Sequence, residues 1–107
     1  MNKYNTVVLH RVVRNQTENF IDISLDTFRH ILSRSMALGK LVSIDEAIEF
    51  SEDSKRSICL TFDDGFSSDY QLVLPELKKL QVAATFFIVT DWLETPGYLT
   101  RQQVRDL

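Results

Sequence analysis

The sequence predicts an α/β fold with parallel strands, and three observations lead to this class. Short apolar runs alternate with segments of helical periodicity, which is the pattern of strand–helix–strand units. The run Ser57–Phe62 is apolar enough to be buried on both faces, as strands of parallel sheets are. The composition is that of a soluble globular protein, with 107 residues, 44% hydrophobic and 25% charged.

The first strand is predicted over Thr6–Leu9, and residues 13–24 are predicted to be a polar connection. A helix is expected over about Asp26–Leu38, because its apolar residues are spaced to share one face. Gly39 stands where a left-handed C-terminal cap of that helix would lie.

A second, shorter helix is predicted by the capping box of Ser43 and Glu46, whose side chains can satisfy each other's backbone donors. This helix should extend through about Phe50. Ser51–Lys55 is then expected to be a polar turn.

The buried strand Ser57–Phe62 is followed by a helical segment, for which Asp69 or Ser68 would be the cap. Pro75 lies inside this segment, so it either kinks the helix or marks the first turn of a second one. Ala83–Val89 is predicted to be a third strong strand, because it is rich in Phe and β-branched residues.

The last part of the chain is predicted to form a turn and a helix start. Pro96 and Gly97 make the turn. Thr100 and Gln103 then form a second capping box, and the helix that it opens is about two turns long at Leu107. The given sequence is therefore expected to end within the helix that opens at Thr100.

Charge and hydropathy narrow the functional classes. A net charge of −3 gives no electrostatic argument for binding nucleic acid or anionic membranes. The first residues lack a signal peptide pattern, and no apolar run is long enough to span a bilayer, so a cytoplasmic location is the default expectation. Cys59 cannot form an internal disulfide because it is the only cysteine, and we expect a buried structural thiol.

The acidic pair Asp63-Asp64 is the strongest candidate for chemistry. It follows a buried strand and precedes Gly65, and parallel α/β sheets place their sites at the carboxyl ends of strands. Successive side chains of an extended segment point in different directions, so one carboxylate could bind a divalent metal while the other accepts a proton. From local spacing alone, a plain Asp-Gly turn is an equally good interpretation.

Two segments of the chain resemble the polysaccharide deacetylase family (NodB homology, carbohydrate esterase family 4). These are Leu60–Phe66, with its Thr-Phe-Asp-Asp-Gly core, and Ala84–Ile88, with its Ala-Thr-Phe-Phe core. The opening Val8–Val12 resembles the Tyr-His-x-Val start of some members, with Leu in the Tyr position. The resemblance implies the amino-terminal portion of a distorted (β/α) barrel, which 107 residues are too few to close.

The resemblance also implies roles for individual residues. Asp63 would be the general base and Asp64 a ligand of a divalent metal, usually zinc, which the family holds with that Asp and two histidines. The substrate would be an N-acetylated hexosamine glycan, from which acetyl groups are hydrolysed. The histidine motif normally follows the helix that here opens at Thr100, so we expect residues 1–107 to be a partial NodB-like domain that lacks the C-terminal part. Such a chain should bind metal weakly or not at all and show no appreciable deacetylase activity.

The remaining candidates come from residue type and position. His10 ends the first predicted strand, at the same end as Asp63, so it is either a weak substrate or proton-relay contact or a structural residue. His30 falls off the apolar face of its helix and should be exposed. Trp92 and Tyr98 flank a turn, where aromatic rings either stack on sugars or cover the edge of a core.

Three functions remain open at this point. The first is the amino-terminal part of a metal-dependent polysaccharide deacetylase. The second is a non-enzymatic remnant or interaction fragment that retains a half-barrel. Whichever function holds, an incomplete barrel leaves strand edges and apolar faces open, so self-association is a further hypothesis. The third is metal-dependent phosphotransfer, which adjacent carboxylates match less well than carboxylates spread along a loop.

Overall fold

The computed structural model describes residues 4–49 and 56–107. In chain order its elements are β1 (Tyr4–Leu9), β2 (Arg11–Val13), β3 (Asp22–Ser24), α1 (Leu25–Leu38), β4 (Lys40–Leu41), α2 (Ile44–Glu49), β5 (Ser57–Phe62), a π-helical segment (Asp69–Val73), α3 (Leu74–Leu80), β6 (Thr85–Phe86), a 3₁₀ turn (Thr90–Trp92) and α4 (Arg101–Asp106).

The main sheet is parallel and has β5 at its centre. β1 pairs with β5 along its whole length, from Tyr4 opposite Ser57 to Leu9 opposite Phe62. On the other side, β4 pairs with the start of β5 and β6 pairs with its end. The α/β class with parallel strands is confirmed.

A second, two-stranded parallel sheet joins β2 to β3. The prediction of a plain polar connection over residues 13–24 was therefore wrong in part. Arg11 donates two hydrogen bonds to the Asp22 carboxylate, at 2.7 and 2.6 Å, and these link the two short strands. Both strands have only three residues, so local propensity carries almost no signal for them.

Helix α1 begins one residue earlier than predicted, and it is capped by Ser24, whose hydroxyl accepts a hydrogen bond from the Thr27 N–H at 3.1 Å. The prediction of a left-handed cap at Gly39 was wrong, because its φ is −178° and its backbone is extended. A Cβ at Gly39 would lie 2.4 Å from the Arg56 carbonyl oxygen. Glycine is needed here for close approach of two backbone segments as the chain enters β4.

The capping box at the start of α2 is confirmed. The Glu46 N–H donates to the Ser43 hydroxyl at 3.1 Å, and the Ser43 N–H donates to the Glu46 carboxylate at 3.3 Å. The predicted helix end at Phe50 and the predicted turn at Ser51–Lys55 lie outside the described residues.

Strand β5 has the predicted bounds, but the helical segment after it begins differently. The Ser68 hydroxyl accepts from the Val12 N–H at 3.4 Å, and neither Ser68 nor Asp69 caps the helix with its side chain. The first five residues, Asp69–Val73, are π-helical, and α3 then begins with Pro75 in its first turn. Of the two predicted roles of Pro75, the first turn of a second helix is confirmed.

The third predicted strand is much shorter than Ala83–Val89, since only Thr85–Phe86 pairs as a strand. The ladder continues by one bond, from the Phe87 N–H to the Phe62 carbonyl at 2.8 Å. The Pro96-Gly97 turn and the Thr100–Gln103 capping box of α4 are both confirmed.

The core lies between the main sheet and helices α1 and α3. Phe62 is fully buried, and its ring packs edge-on against Phe28 of α1 at 5.6 Å and stacks on Phe86 of β6 at 5.2 Å. A smaller cluster under α2 contains Ala47 and Cys59, and Cys59 is buried as predicted. Among the described residues, no helix has both the length and the hydropathy needed to cross a membrane.

Candidate functional site

His10 and Asp63 meet at the carboxyl end of the main sheet. Asp63 continues β5, because its N–H donates to the Leu9 carbonyl at 2.9 Å. Side chains alternate along strands, so Asp63 lies on the face of Thr61 and His10 on the face of Val8. His10 Nε2 is 4.0 Å from Asp63 Oδ2, and both side chains are about one-third exposed, at 33% and 38%. The structure thus places a carboxylate and an imidazole side by side, in reach of solvent.

Asp64 occupies a turn next to this pair. Its φ is +83°, and Gly65 follows with a φ of +75°. Aspartate tolerates the left-handed region better than most residues, which explains its place here. The backbone at Asp64 and Gly65 therefore forms a turn, as one interpretation of the acidic pair predicted. It is compatible with a chemical role, since strained residues cluster at functional sites.

Asp69, for which the sequence predicts only a role as helix cap, is a buried carboxyl. It is 0% exposed, and neither oxygen has a hydrogen-bond partner among the described residues. Burial raises its pKa to about 8, with a further contribution from the negative charge of Asp64. Nothing in the sequence signals this burial, because Asp beside Ser before a helix is typical of a cap.

Two loops are joined directly behind the acidic pair. The Leu99 N–H donates to the Gly65 carbonyl, and the Ser67 N–H donates to the Gly97 carbonyl, both at 2.9 Å. Phe66 and Tyr98 form an antiparallel bridge between the loops. The turn before α4 is thereby held at a fixed position relative to the acidic pair.

The Arg11–Asp22 ion pair fixes the strand that follows His10. The Asp22 side chain is fully buried, and it also accepts from the backbone N–H groups of Glu18 and Asn19 at 3.0 and 3.1 Å. The hydrogen bonds from Arg11 hold the pKa of Asp22 well below its usual value. A complete set of partners makes this carboxylate a structural anchor.

The other polar candidates face solvent. His30 on α1 is exposed, as predicted, and Lys78 and Lys79 form the exposed side of α3. The Phe-rich segment Ala83–Val89 is not buried on both faces, since the Phe87 side chain, on the face of the sheet opposite Phe86, is 50% exposed.

The described residues do not fit a metal ion by themselves. Within residues 4–49 and 56–107, no three or more His, Cys, Asp or Glu side chains are grouped so that they could hold one. A catalytic zinc site needs three protein ligands and an open position. Asp64 is a chemically suitable ligand, but one carboxylate cannot form such a site.

The comparison with protein families decides the classification. Residues 51–106, just over half of the chain, match the family model described as Polysaccharide deacetylase. The chain belongs to the polysaccharide deacetylase family. The matched region contains β5, the acidic pair and the segment from β6 to α4.

Two curated proteins each match about half of this family member. "Putative polysaccharide deacetylase YxkH" of Bacillus subtilis (strain 168) is 33% identical over 54 residues, which are 50% of this chain and 19% of the relative. "Uncharacterized 30.6 kDa protein in fumA 3'region" of Geobacillus stearothermophilus is 38% identical over 61 residues, which are 56% of this chain and 23% of the relative. The matches thus span about a fifth of each curated relative.

Solved structures support the fold over nearly the whole chain. A de-N-acetylase from Aggregatibacter actinomycetemcomitans has a TM-score of 0.80 at 24% identity, and IcaB from Ammonifex degensii has 0.83 at 23%. These comparisons cover 96% and 99% of this chain, but only 49% and 48% of the solved chains. The fold is therefore that of NodB-type deacetylases, and this chain spans about half the length of each of these solved chains.

Proposed function

We propose that this chain supplies the acidic part of a metal-dependent polysaccharide deacetylase, which hydrolyses N-acetyl groups of hexosamine glycans. The observation that carries the proposal is the position of Asp63-Asp64 at the carboxyl end of β5, within the segment that matches the family. Residues 1–107 would then be one partial NodB-type domain, completed by residues beyond this chain. The coverage of about half of each solved chain supports this division.

Asp63 is the proposed general base. A carboxylate that is partly exposed can reach a water molecule and accept its proton as that water attacks the acetamide carbonyl. His10, 4.0 Å from Asp63, is the proposed weak contact to substrate or proton relay. Both roles use the same open face of the sheet.

Asp64 is the residue of this chain that we propose as a metal ligand. A bound divalent ion, zinc by family resemblance, would polarise the substrate carbonyl. Because the described residues do not form a three-ligand group, the other ligands must come from elsewhere. We therefore expect residues 1–107 alone to bind zinc weakly or not at all and to release no acetate.

The test measures acetate release from an N-acetylglucosamine pentamer, with zinc or cobalt added. The purified 107-residue chain is compared with a protein that continues through the coding sequence downstream of Leu107. We expect turnover only in the longer protein, and only if it carries a His-x-x-x-His motif. Turnover by the 107-residue chain would refute our account of the missing ligands.

Two substitutions separate the proposed roles in the longer protein. Asp64→Ala should abolish zinc binding measured by calorimetry, and Asp63→Asn should leave zinc binding intact but remove turnover. Asp91→Asn is the matched control, because Asp91 is an exposed carboxylate in the 3₁₀ turn, and it should change neither quantity. Retained turnover in Asp63→Asn would contradict the base assignment.

A non-catalytic interaction fragment is the second candidate, and the uncovered sheet face favours it. Val8 is 54% and Phe87 50% exposed on this face. We propose that the 107-residue chain self-associates through it. Size-exclusion chromatography should show concentration-dependent oligomers that Phe87→Ser weakens, and a monodisperse monomer at all concentrations would contradict this.

A further inference from the structure

A row of stacked groups runs from the Arg11–Asp22 ion pair to the surface. The Arg11 guanidinium lies over the Phe66 ring, 5.9 Å from its centroid. Phe66 stacks on Tyr98 at 5.1 Å with an interplanar angle of 20°, and Tyr98 contacts Trp92 at 5.1 Å and 48°. Trp92 ends the row and is 41% exposed. One end of the row is thus anchored by a partly buried ion pair and the other end faces solvent.

This row is tied to the acidic pair. Phe66 follows Asp64 by two residues, and the turn that carries Tyr98 is hydrogen-bonded to Gly65 and Ser67. Two ring-to-ring steps of 5.1 Å separate Phe66 from Trp92. A ligand on Trp92 would therefore be held at a defined position relative to Asp63 and Asp64.

The row does not act as the edge of either core cluster. The described residues of these clusters, and the partly buried residues that pack on them, include Phe86 but not Phe66, Tyr98 or Trp92. Phe66 and Tyr98 stack on each other, Trp92 contacts Tyr98, and Arg11 lies over Phe66. Of the two interpretations of Trp92 and Tyr98 that residue type allows, the sugar-stacking one fits this geometry better.

The chemistry of an exposed indole fits a sugar ring. The face of an aromatic ring carries negative charge density, and it attracts the weakly positive C–H groups on one face of a pyranose. The indole also offers an N–H donor for a sugar hydroxyl. A row whose inner end is held by an ion pair presents this surface with little conformational entropy left to lose on binding.

We propose that the exposed face of Trp92 is a binding subsite for one pyranose ring of an N-acetylated hexosamine glycan, a neighbour of the sugar that is deacetylated. The choice of glycan rests on the proposed function. The subsite itself requires neither a metal nor turnover. It positions the polymer, so its loss weakens binding and leaves the chemistry of the acidic pair intact.

Trp92 is the only tryptophan of the chain, so intrinsic indole fluorescence reports on this ring alone. The purified chain is titrated with the N-acetylglucosamine pentamer in the absence of added metal. A saturable change in fluorescence is expected. No change up to the solubility limit of the pentamer would overturn the proposal.

Substitutions then test the ring by calorimetry. Trp92→Ala should weaken pentamer binding about tenfold, whereas Trp92→Phe, which keeps a stacking face, should stay within about threefold of the original affinity. Phe20→Ala is the matched control, because Phe20 is fully exposed and outside the row, and it should bind as the original chain does. Equal affinities of Trp92→Ala and the original chain would refute the subsite, and Trp92→Leu, which keeps apolar bulk without an aromatic face, takes the place of the Ala variant if that variant is unfolded.

A longer, active protein separates this proposal from the proposed function. There, Trp92→Ala should raise KM about tenfold while kcat changes less than about twofold. Acetate release with an unchanged KM would refute the subsite and leave the deacetylase assignment standing. Pentamer binding that Trp92→Ala weakens by calorimetry, in a longer protein that releases no acetate, would do the reverse.

Discussion

The two faces of the main sheet differ in how completely the chain covers them. On the face toward α1 and α3, Leu60 and Phe62 of β5 are fully buried in the main core. On the opposite face, α2 covers the start of β5, but Val8 and Phe87 near the carboxyl end are about half exposed. The face toward α1 and α3 is thus buried in a core, whereas the opposite face, called the open face below, is partly exposed to solvent.

Because of this difference, the residues that stabilise the fold and the residues proposed for the site lie on different faces of the sheet. His10 and Asp63 lie at the end of the open face, so their side chains contribute little packing to the closed one. Substitutions on the closed face should therefore change the free energy of unfolding, and substitutions on the open face should change binding. Asp69 departs from this division, since it is a buried group that the charge of Asp64 affects.

The sharpest test of the two faces compares two phenylalanines. Phe62→Ala should lower the free energy of unfolding by about 3–5 kcal/mol, because it removes a ring that packs between Phe28 and Phe86. Phe87→Ala, the matched control on the open face, should cost less than about 1 kcal/mol. Urea denaturation measures both, and equal costs would mean that the open face is covered in solution.

The second test is the pH dependence of stability caused by Asp69. Its folded-state pKa is raised to about 8, so the folded state holds the proton more tightly than the unfolded chain. The contribution of Asp69 to the free energy of unfolding is therefore complete below about pH 4. It decreases as the pH rises toward 8, by at most about 1.4 kcal/mol per pH unit.

Asp69→Asn removes this titration. The difference in melting temperature between the Asn variant and the original protein should grow in favour of the variant from pH 5 to pH 8. The slopes of melting temperature against pH can be compared even if the buried amide lowers the stability of the variant at every pH. Parallel pH profiles of the two proteins would show that Asp69 is not a buried, unpaired carboxyl.

The smallest expected effect concerns α4, whose described residues include no buried side chain. Its start depends on the capping box, in which the Gln103 N–H donates to the Thr100 hydroxyl at 3.1 Å. Thr100→Ala should lower stability by about 1 kcal/mol. Thr90→Ala, an exposed threonine at the start of the 3₁₀ turn, is the control and should be nearly neutral, and an equal loss would argue against the cap.

Features with strong local signals could be predicted from the sequence. β5 is a continuous apolar run with the predicted bounds, and both capping boxes form at the predicted residues. The acidic pair was located at a strand end for the same reason, since a buried run stops directly at Asp63. These features depend on residues that are close together in the chain.

Features that depend on distant partners could not be predicted. The pairing of Arg11 with Asp22 needs two three-residue strands to meet. Glycine is needed at position 39 because the Arg56 backbone leaves no room for a Cβ, and no local sequence pattern indicates that contact. The burial of Asp69 is likewise invisible to periodicity, which explains why a cap was predicted there instead.

The buried position of Cys59 allows its thiol to report on the opening of the main sheet. Its sulfur is fully buried in the centre of β5, and burial raises the pKa of the thiol, with a further contribution from Glu46. A thiol-specific reagent can reach it only when the sheet opens, because the reactive thiolate is both shielded and scarce. The alkylation rate at this sulfur therefore measures how often the centre of the sheet opens locally. Ligands that stabilise the closed sheet should slow the alkylation.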